Sequence, residues 1–395
     1  MTANGKSRSD DDLARAIAML AKLVAFDTTS RNSNLAFIDA VRVMLAEHGI
    51  PCRLVHNDEG TKANLLATVG PMVAGGIVLS GHTDVVPVDD QKWQSDPFIL
   101  EEREGLLYGR GAADMKGFLA VILAALDHMT AANLKIPLHF AFSYDEEVGC
   151  LGAPSLIRFL QAELPAPAAV IVGEPTEMKV VTAHKGITAV RTTVTGHEAH
   201  SSQPHRGVSA VMVAAELISF LQGLAGEAAT SGKRNQLFEP PHTTITVNRI
   251  EGGTALNILA RHCTFQWDVR ALPEDDPDRY IDRFLTHCRD VVLPRMRTVA
   301  TDCDIETIPR TATPPLKLMT RSAAEELCRT LTGDNTTRAV SFAAEAGQFQ
   351  GAGLSTVICG PGSISQAHQP NEFIAVEQLA AGTRFIRDLI VHASR

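Results

Sequence analysis

The residues able to do chemistry sit at the ends of short apolar runs. The run Gly76-Ile-Val-Leu-Ser-Gly81 leads into His82 and Asp84. Two residues apart in an extended segment, their side chains fall on one face, where a carboxylate can orient a metal-bound imidazole and raise its basicity. Ordinary hydrogen bonding at a strand end is the plain alternative. Asp114 lies in the glycine-rich loop Tyr108-Gly-Arg-Gly-Ala-Ala-Asp-Met-Lys-Gly117, just before an apolar segment, and there it would equally serve as a helix N-cap. This loop lacks the third glycine and the preceding apolar strand of a dinucleotide fingerprint. The run Leu138-His-Phe-Ala-Phe-Ser-Tyr delivers Asp145, Glu146 and Glu147 before Gly149. Three adjacent carboxylates repel one another unless a cation or a shared proton relieves them, although a solvated acidic turn is also common. Ala169-Val-Ile-Val-Gly ends in Glu174, and the loop Gly360-Pro-Gly-Ser-Ile-Ser-Gln-Ala-His368 offers a histidine.

Taken together, His82, Asp114, Glu147, Glu174 and His368 form a set of two imidazoles and three carboxylates without a thiolate. Such a set suits zinc, cobalt or manganese better than a structural zinc finger. Five ligands exceed the needs of one ion. If Asp114 bridges, each of two ions receives one histidine, one terminal carboxylate and a share of Asp114. Two ions about 3.5–4 Å apart activate water and polarise a carbonyl.

The elements that must position these residues read as follows. Helical spacing runs over Asp12–Leu23 and Leu35–His48, followed by strand-length apolar runs at Asn64–Val69, Gly76–Ser80, Leu138–Ser143 and Ala169–Val172. An apolar helix is expected over Met115–Met129. Strands alternating with helices predict an α/β sheet covered on both faces, with its site in loops at the carboxyl ends of strands. From about Gly186 the texture changes to strand Ile187–Thr195, helix Val208–Leu224, strands Thr243–Ile250 and Cys263–Ala271, helix Tyr280–Arg295 and strand Cys303–Ile308. That β-α-β-β-α-β order is a small two-layer domain. After Pro314-Pro315 come a helix at Thr320–Leu331, a strand at Ser355–Cys359 and a helix from Val376. The expected division is a disordered leader over 1–12, a catalytic domain from 13–185 and 314–395, and an inserted domain over 186–313.

The motifs as a set resemble the M20-type co-catalytic metallopeptidases, which include acetylornithine deacetylase, succinyl-diaminopimelate desuccinylase and carboxypeptidase G2. They are Gly-His82-Thr-Asp84, Gly-Arg-Gly-x-x-Asp114-Met-Lys-Gly, Asp-Glu146-Glu147-x-Gly, Gly-Glu174-Pro-Thr, Gly196-x-x-x-His200-Ser-Ser and, after Gly-Pro-Gly, His368. The resemblance covers nearly the whole chain after the leader. It implies a mixed-sheet, di-zinc exopeptidase-like α/β catalytic domain carrying an inserted ferredoxin-like α+β dimerisation and lid domain. It also implies that His82 and Glu174 bind one metal and Glu147 and His368 the other, with Asp114 between them. The metal would be Zn2+, one or two ions per subunit, with Co2+ as the alternative. Asp84 would orient His82. Glu146 would be the general base, taking a proton from a metal-bridging water and passing it to the leaving amine. His200 would reach across a homodimer interface to the oxyanion, whereas a loop histidine bonded to Ser201 and Ser202 is the alternative. Arg270 would grip the substrate α-carboxylate with Asn257 nearby, a strand-end salt bridge being the alternative for Arg270.

Phe142-Ser-Tyr-Asp-Glu-Glu-Val-Gly-Cys-Leu-Gly152 and His184-Lys-Gly186 look like the acetylornithine deacetylase branch. The expected reaction is therefore N2-acetyl-L-ornithine and water to L-ornithine and acetate, as in arginine synthesis. Succinyl-diaminopimelate desuccinylase, or a carboxypeptidase or dipeptidase of the same family, is the runner-up. A non-catalytic metal-binding homologue would be expected to have lost a ligand or the base, and all are present. No Gly-x-Ser-x-Gly elbow supports a serine hydrolase.

Composition agrees with such an enzyme. The chain is 45% hydrophobic and 21% charged, with 36 basic and 45 acidic residues and a net charge of -9, which argues against nucleic-acid or anionic-membrane binding. Seven scattered cysteines without a Cys-x-x-Cys pair suggest a reducing cytoplasm rather than a disulfide framework. The first twelve residues lack the apolar segment of a secretion signal, and the longest apolar runs are too short to span a bilayer.

Overall fold

The computed structural model describes residues 8–395. The described residues divide into two compact units, one of 8–182, Lys317–Arg338 and Ala344–Arg395, the other of Ala183–Leu316 and Ala339–Ala343. Residues 339–343, expected in the catalytic domain, join the second unit because Ala339–Val340 pairs in parallel with Ala183–His184.

The first unit is built on a six-stranded sheet in the order Cys52–His56, Ala63–Val69, Leu138–Ser143, Ile77–His82, Ala169–Val172, Thr356–Ile358. The first two pairings are antiparallel and the other three parallel, so the sheet is mixed. Leu138–Ser143 and Ala169–Val172 are buried at every position, as strands covered on both faces must be. Lys116–Leu123 is likewise buried all round, and a second helix follows at Leu126–Ala131. One continuous helix was expected here. The break comes where the Ala125 N–H bonds to Ile122 rather than one residue further back.

A helix spans Arg8–Val24, so residues 8–12 are ordered helix rather than leader. Residues 1–7 of the expected leader lie outside the described residues. Asp10 and Asp11 occupy the first turn, where the helix dipole favours negative charge. Asp12 is buried and accepts from Arg15 and from His128 Nε2. The periodicity also gives no sign of a three-stranded sheet of Glu101–Arg103, Leu106–Tyr108 and Phe373–Ala375, or of the helices Ala153–Glu163 and Ala346–Gly351.

The second unit holds a four-stranded antiparallel sheet in the order Thr244–Gly252, His262–Ala271, Gly186–Thr195, Asp304–Thr313. In chain order its main elements run strand, helix Ala210–Ser231, two strands, helix Asp278–His287, strand. Gly186–Thr195 alternates buried and half-buried positions along its length, the period-two pattern of a sheet with one packed face. Ala210–Ser231 is long and apolar enough to cross a bilayer. Its Val213, Ala214, Leu217, Leu221 and Leu224 instead pack in a core with Phe265, Trp267 and Phe284.

Candidate active site

Three adjacent parallel strands of the first unit end at one edge of the sheet. Ile77–His82 ends in His82 itself; Leu138–Ser143 leads to Glu146 and Glu147; Ala169–Val172 leads to Glu174. A fourth, Thr356–Ile358, leads through the glycine-rich loop to His368. Gly173 allows one of these deliveries, because a Cβ there would lie 2.0 Å from the ring of Phe118. Asp114 comes from the loop before the Lys116–Leu123 helix. It is not an N-cap, since Met115 occupies that position and no side chain caps the helix.

The side chains converge. His82 Nε2 lies 3.0 Å from Asp114 Oδ1 and 3.8 Å from Glu174 Oε1. His368 Nε2 lies 2.9 Å from Glu147 Oε2 and 3.5 Å from Asp114 Oδ2. Each oxygen of Asp114 thus faces a different imidazole–carboxylate pair. Two overlapping groups, His82–Asp114–Glu147 and His82–Glu146–Glu174, each bring their donor atoms within 4.8 Å of one another.

The 145–147 segment is a turn: Asp145 has φ 56°, and both Gly149 N–H and Cys150 N–H bond to the carbonyl of Glu146. Asp84, expected to orient His82 through its carboxylate, meets it through the main chain: its carbonyl oxygen lies 2.8 Å from His82 Nδ1, while the nearest carboxylate oxygen is 3.8 Å away. The Asp84 carboxylate instead accepts the main-chain N–H groups of Glu146 at 3.1 Å and Glu147 at 3.3 Å, and Ser30 Oγ at 2.7 Å. It holds the acidic turn. Lys62 pins the same turn through Asp145.

Electrostatically, the cluster is that of carboxylates crowded away from water. Burial, then Asp114, pushes Glu147 up to about 7 and Glu174 well above its ordinary value. Burial also raises Glu146, with Glu147, Glu345 and Asp114 adding to the effect and His82 opposing it. Burial would raise Asp114 too, but hydrogen bonds from His368 and His82 outweigh it and hold the group low. Hydrogen bonds to Asp114 and Glu147 push His368 up to about 10. Glu147 Oε1 and Glu174 Oε1 are buried without a hydrogen-bond partner, a costly state for an anion. A cation among these oxygen and nitrogen donors would relieve both the orphaned atoms and the mutual repulsion, so the residues fit a metal cofactor.

Glu372 and Glu345 carry no motif that spacing would reveal, and Lys116 stands in the Asp114 motif with no role read from it. Glu372 is fully buried and accepts the N–H groups of Gly111, Ala113 and Asp114 at 2.9, 2.9 and 3.0 Å, and Arg110 Nη1 at 2.8 Å. It shapes the Asp114 loop. Glu345, a lone acid between alanines, is buried 3.4 Å from Ser80 Oγ and pushed up to about 7 by burial. Lys116 Nζ donates to the Phe26 carbonyl at 2.8 Å and is pushed down to about 7 by burial.

The remaining candidates belong to the second unit. His200 Nδ1 lies 2.8 Å from Ser202 Oγ, and the N–H of Ser201 donates to the Asn257 carbonyl at 3.0 Å, so the His200 and Asn257 loops are neighbours. Arg270 is 39% exposed and 3.6 Å from Asp268, beyond hydrogen-bonding range, leaving its guanidinium open to solvent.

Comparison with known proteins agrees with this geometry. The model of Peptidase family M20/M25/M40 matches residues 78–392. An acetylornithine deacetylase of Myxococcus xanthus is 34% identical over 97% of this chain and 98% of its own, and one of Proteus mirabilis (strain HI4320) is 35% identical over 92% and 91%. Among solved structures, an M20 family metallo-carboxypeptidase of Sulfolobus solfataricus is similar with a TM-score of 0.75 at 18% identity, covering 96% of this chain and 99% of its own. A dinuclear metal-binding M20 peptidase of Bacillus subtilis gives 0.59 at 16%, covering 97% and 98%. With a family match across most of its length and relatives above 30% identity over nearly all of it, the chain is a hydrolytic enzyme and belongs to Peptidase family M20/M25/M40.

Proposed function

We propose that the protein hydrolyses the amide of an N-acyl amino acid, with N2-acetyl-L-ornithine as substrate and L-ornithine and acetate as products. The observation that carries this reading is the position of Asp114, one carboxylate oxygen toward the His82–Glu174 pair and the other toward the His368–Glu147 pair. Support for the substrate comes from the acetylornithine deacetylases that match end to end.

In this reading His82, Glu174, Asp114, Glu147 and His368 hold one or two zinc ions, with cobalt as a replacement. Bound there, divalent metal lowers the pKa of water and polarises the scissile carbonyl. Glu146 takes the proton from the attacking water and returns it to the nitrogen of the leaving amine, a transfer suited to a carboxylate whose proton affinity its surroundings have raised. The Asp84 carboxylate keeps Glu146 and Glu147 in register by holding their main-chain N–H groups. The second unit is a ferredoxin-like dimerisation and lid domain. Arg270, with Asn257, receives the substrate α-carboxylate bidentately, and His200 serves the oxyanion of the partner subunit in a homodimer. A cytoplasmic setting accords with seven free cysteines, six of them buried.

A panel of N-acetyl-L-ornithine, N-succinyl-L,L-diaminopimelate and N-acetyl-L-methionine, each with defined zinc or cobalt, tests the reading. The expected result is a kcat/KM for N-acetyl-L-ornithine at least about tenfold above the others, a gap of about 1.4 kcal/mol in transition-state binding. Chelation should abolish turnover, and either metal should restore it. Preference for another member of the panel reassigns the substrate. Undiminished activity in protein shown metal-free by elemental analysis removes the metal from the chemistry.

A further inference from the structure

Cys150 is buried at the end of the acidic turn, and its Sγ lies 3.2 Å from Glu146 Oε1, within range of a sulfur hydrogen bond. The cysteine is held from both sides of its backbone. Its N–H donates to the Glu146 carbonyl at 2.8 Å, and its own carbonyl accepts from Gln348 Nε2 at 3.2 Å, on the Ala346–Gly351 helix. Its φ is 55°, a conformation that non-glycine residues adopt at a cost. A thiol needed only for filling space has no reason to occupy such a position, since small apolar side chains pack as well.

An ionised carboxylate is an acceptor only, and the imidazole of His82 is already engaged with Asp114 and with the Asp84 carbonyl. Cys150 supplies a donor to Glu146 from within the same turn.

We propose that Cys150 is a positioning residue for the reaction: its thiol donates to the Glu146 carboxylate and fixes the orientation from which Glu146 meets the reacting water. The proposal rests on the assignment of Glu146 as base made above. Cys150 touches no substrate in this scheme, and its effect passes entirely through Glu146.

The test is steady-state kinetics on N-acetyl-L-ornithine with zinc supplied, together with elemental analysis. Cys150→Ala should lower kcat about tenfold, the order expected for losing one hydrogen bond to a charged group, with KM and bound zinc nearly unchanged. Cys150→Ser, which keeps a donor, should recover most of the loss. Cys150→Gly deletes the thiol while easing the left-handed backbone, and should match the alanine variant even if alanine folds poorly. In a Glu146→Asp background, where the shortened acid no longer meets the thiol, Cys150→Ala should cost little more. Wild-type kcat in both Cys150→Ala and Cys150→Gly, a serine variant as slow as alanine, or an undiminished tenfold loss in the Glu146→Asp background would each overturn the proposal. Failure of the underlying reading is separable, because it would show as substantial turnover by Glu146→Gln.

Discussion

Glu146→Ala is expected to lower kcat by about 10³- to 10⁴-fold, the upper part of the range for a positioned acid–base group, while the purified variant keeps its metal. The second half of that statement discriminates. Glu146 belongs to one of the two groups whose donor atoms lie within 4.8 Å of each other, alongside His82 and Glu174, so proximity alone would permit it to be a ligand. Its surroundings differ from those of the other two glutamates. Glu147 and Glu174 lie 2.9 and 3.8 Å from an imidazole nitrogen, whereas Glu146 Oε1 faces the Cys150 thiol at 3.2 Å. Glu147→Ala and Glu174→Ala should behave differently, losing metal in proportion to activity. Measuring kcat and metal content on the same preparations checks the assignment: a Glu146→Ala protein that loses its metal makes Glu146 a ligand, and one that keeps wild-type kcat places the proton transfer elsewhere.

Four of the five clustered donors were legible in the sequence because each follows or ends a strongly apolar run, and Asp114 because it stands in a glycine-rich loop just before one. Leu138–Ser143 and Ala169–Val172 are buried at every position, which leaves a continuous hydrophobic trace, and a buried parallel strand exposes chemistry only at its end. Spacing gave no access to local backbone geometry. Asp145 takes a positive φ and Cys150 another, and these bend the acidic segment into a turn. Both of its glutamates reach the cluster by a route the pattern does not show. The partners of Asp84 were hidden for a related reason. They are main-chain N–H groups of residues 146 and 147, and every residue type but proline presents the same donor. Composition is equally silent about the break between Lys116–Leu123 and Leu126–Ala131, since the apolar pattern continues through it without glycine or proline.

Glu372 is the strongest instance of such a hidden group, and Glu372→Ala is expected to destabilise the fold by about 3–5 kcal/mol, the cost of leaving one member of a buried ion pair without its partner. Arg110 and Glu372 are each 1% exposed, so the arginine left behind cannot turn to water without opening the loop. The same deletion orphans the N–H groups of Gly111, Ala113 and Asp114, and the loop carrying Asp114 loses its template. Metal affinity should therefore fall along with stability, although Glu372 itself offers no donor atom to the cluster. Glu372→Gln keeps one carbonyl oxygen and should lose less of both. Denaturant titration of the metal-free and zinc-loaded forms, with zinc affinity measured under folded conditions, separates the two effects. A Glu372→Ala protein within about 1 kcal/mol of wild type, or one that binds zinc as tightly, would show that the Asp114 loop holds its shape unaided. The expected coupling follows from chain order: Glu372 lies four residues beyond His368 and immediately before the Phe373–Ala375 strand that pairs with Leu106–Tyr108. One segment thereby sets His368 directly and Asp114 through its loop, which ties the two sides of the cluster to a single anchoring strand.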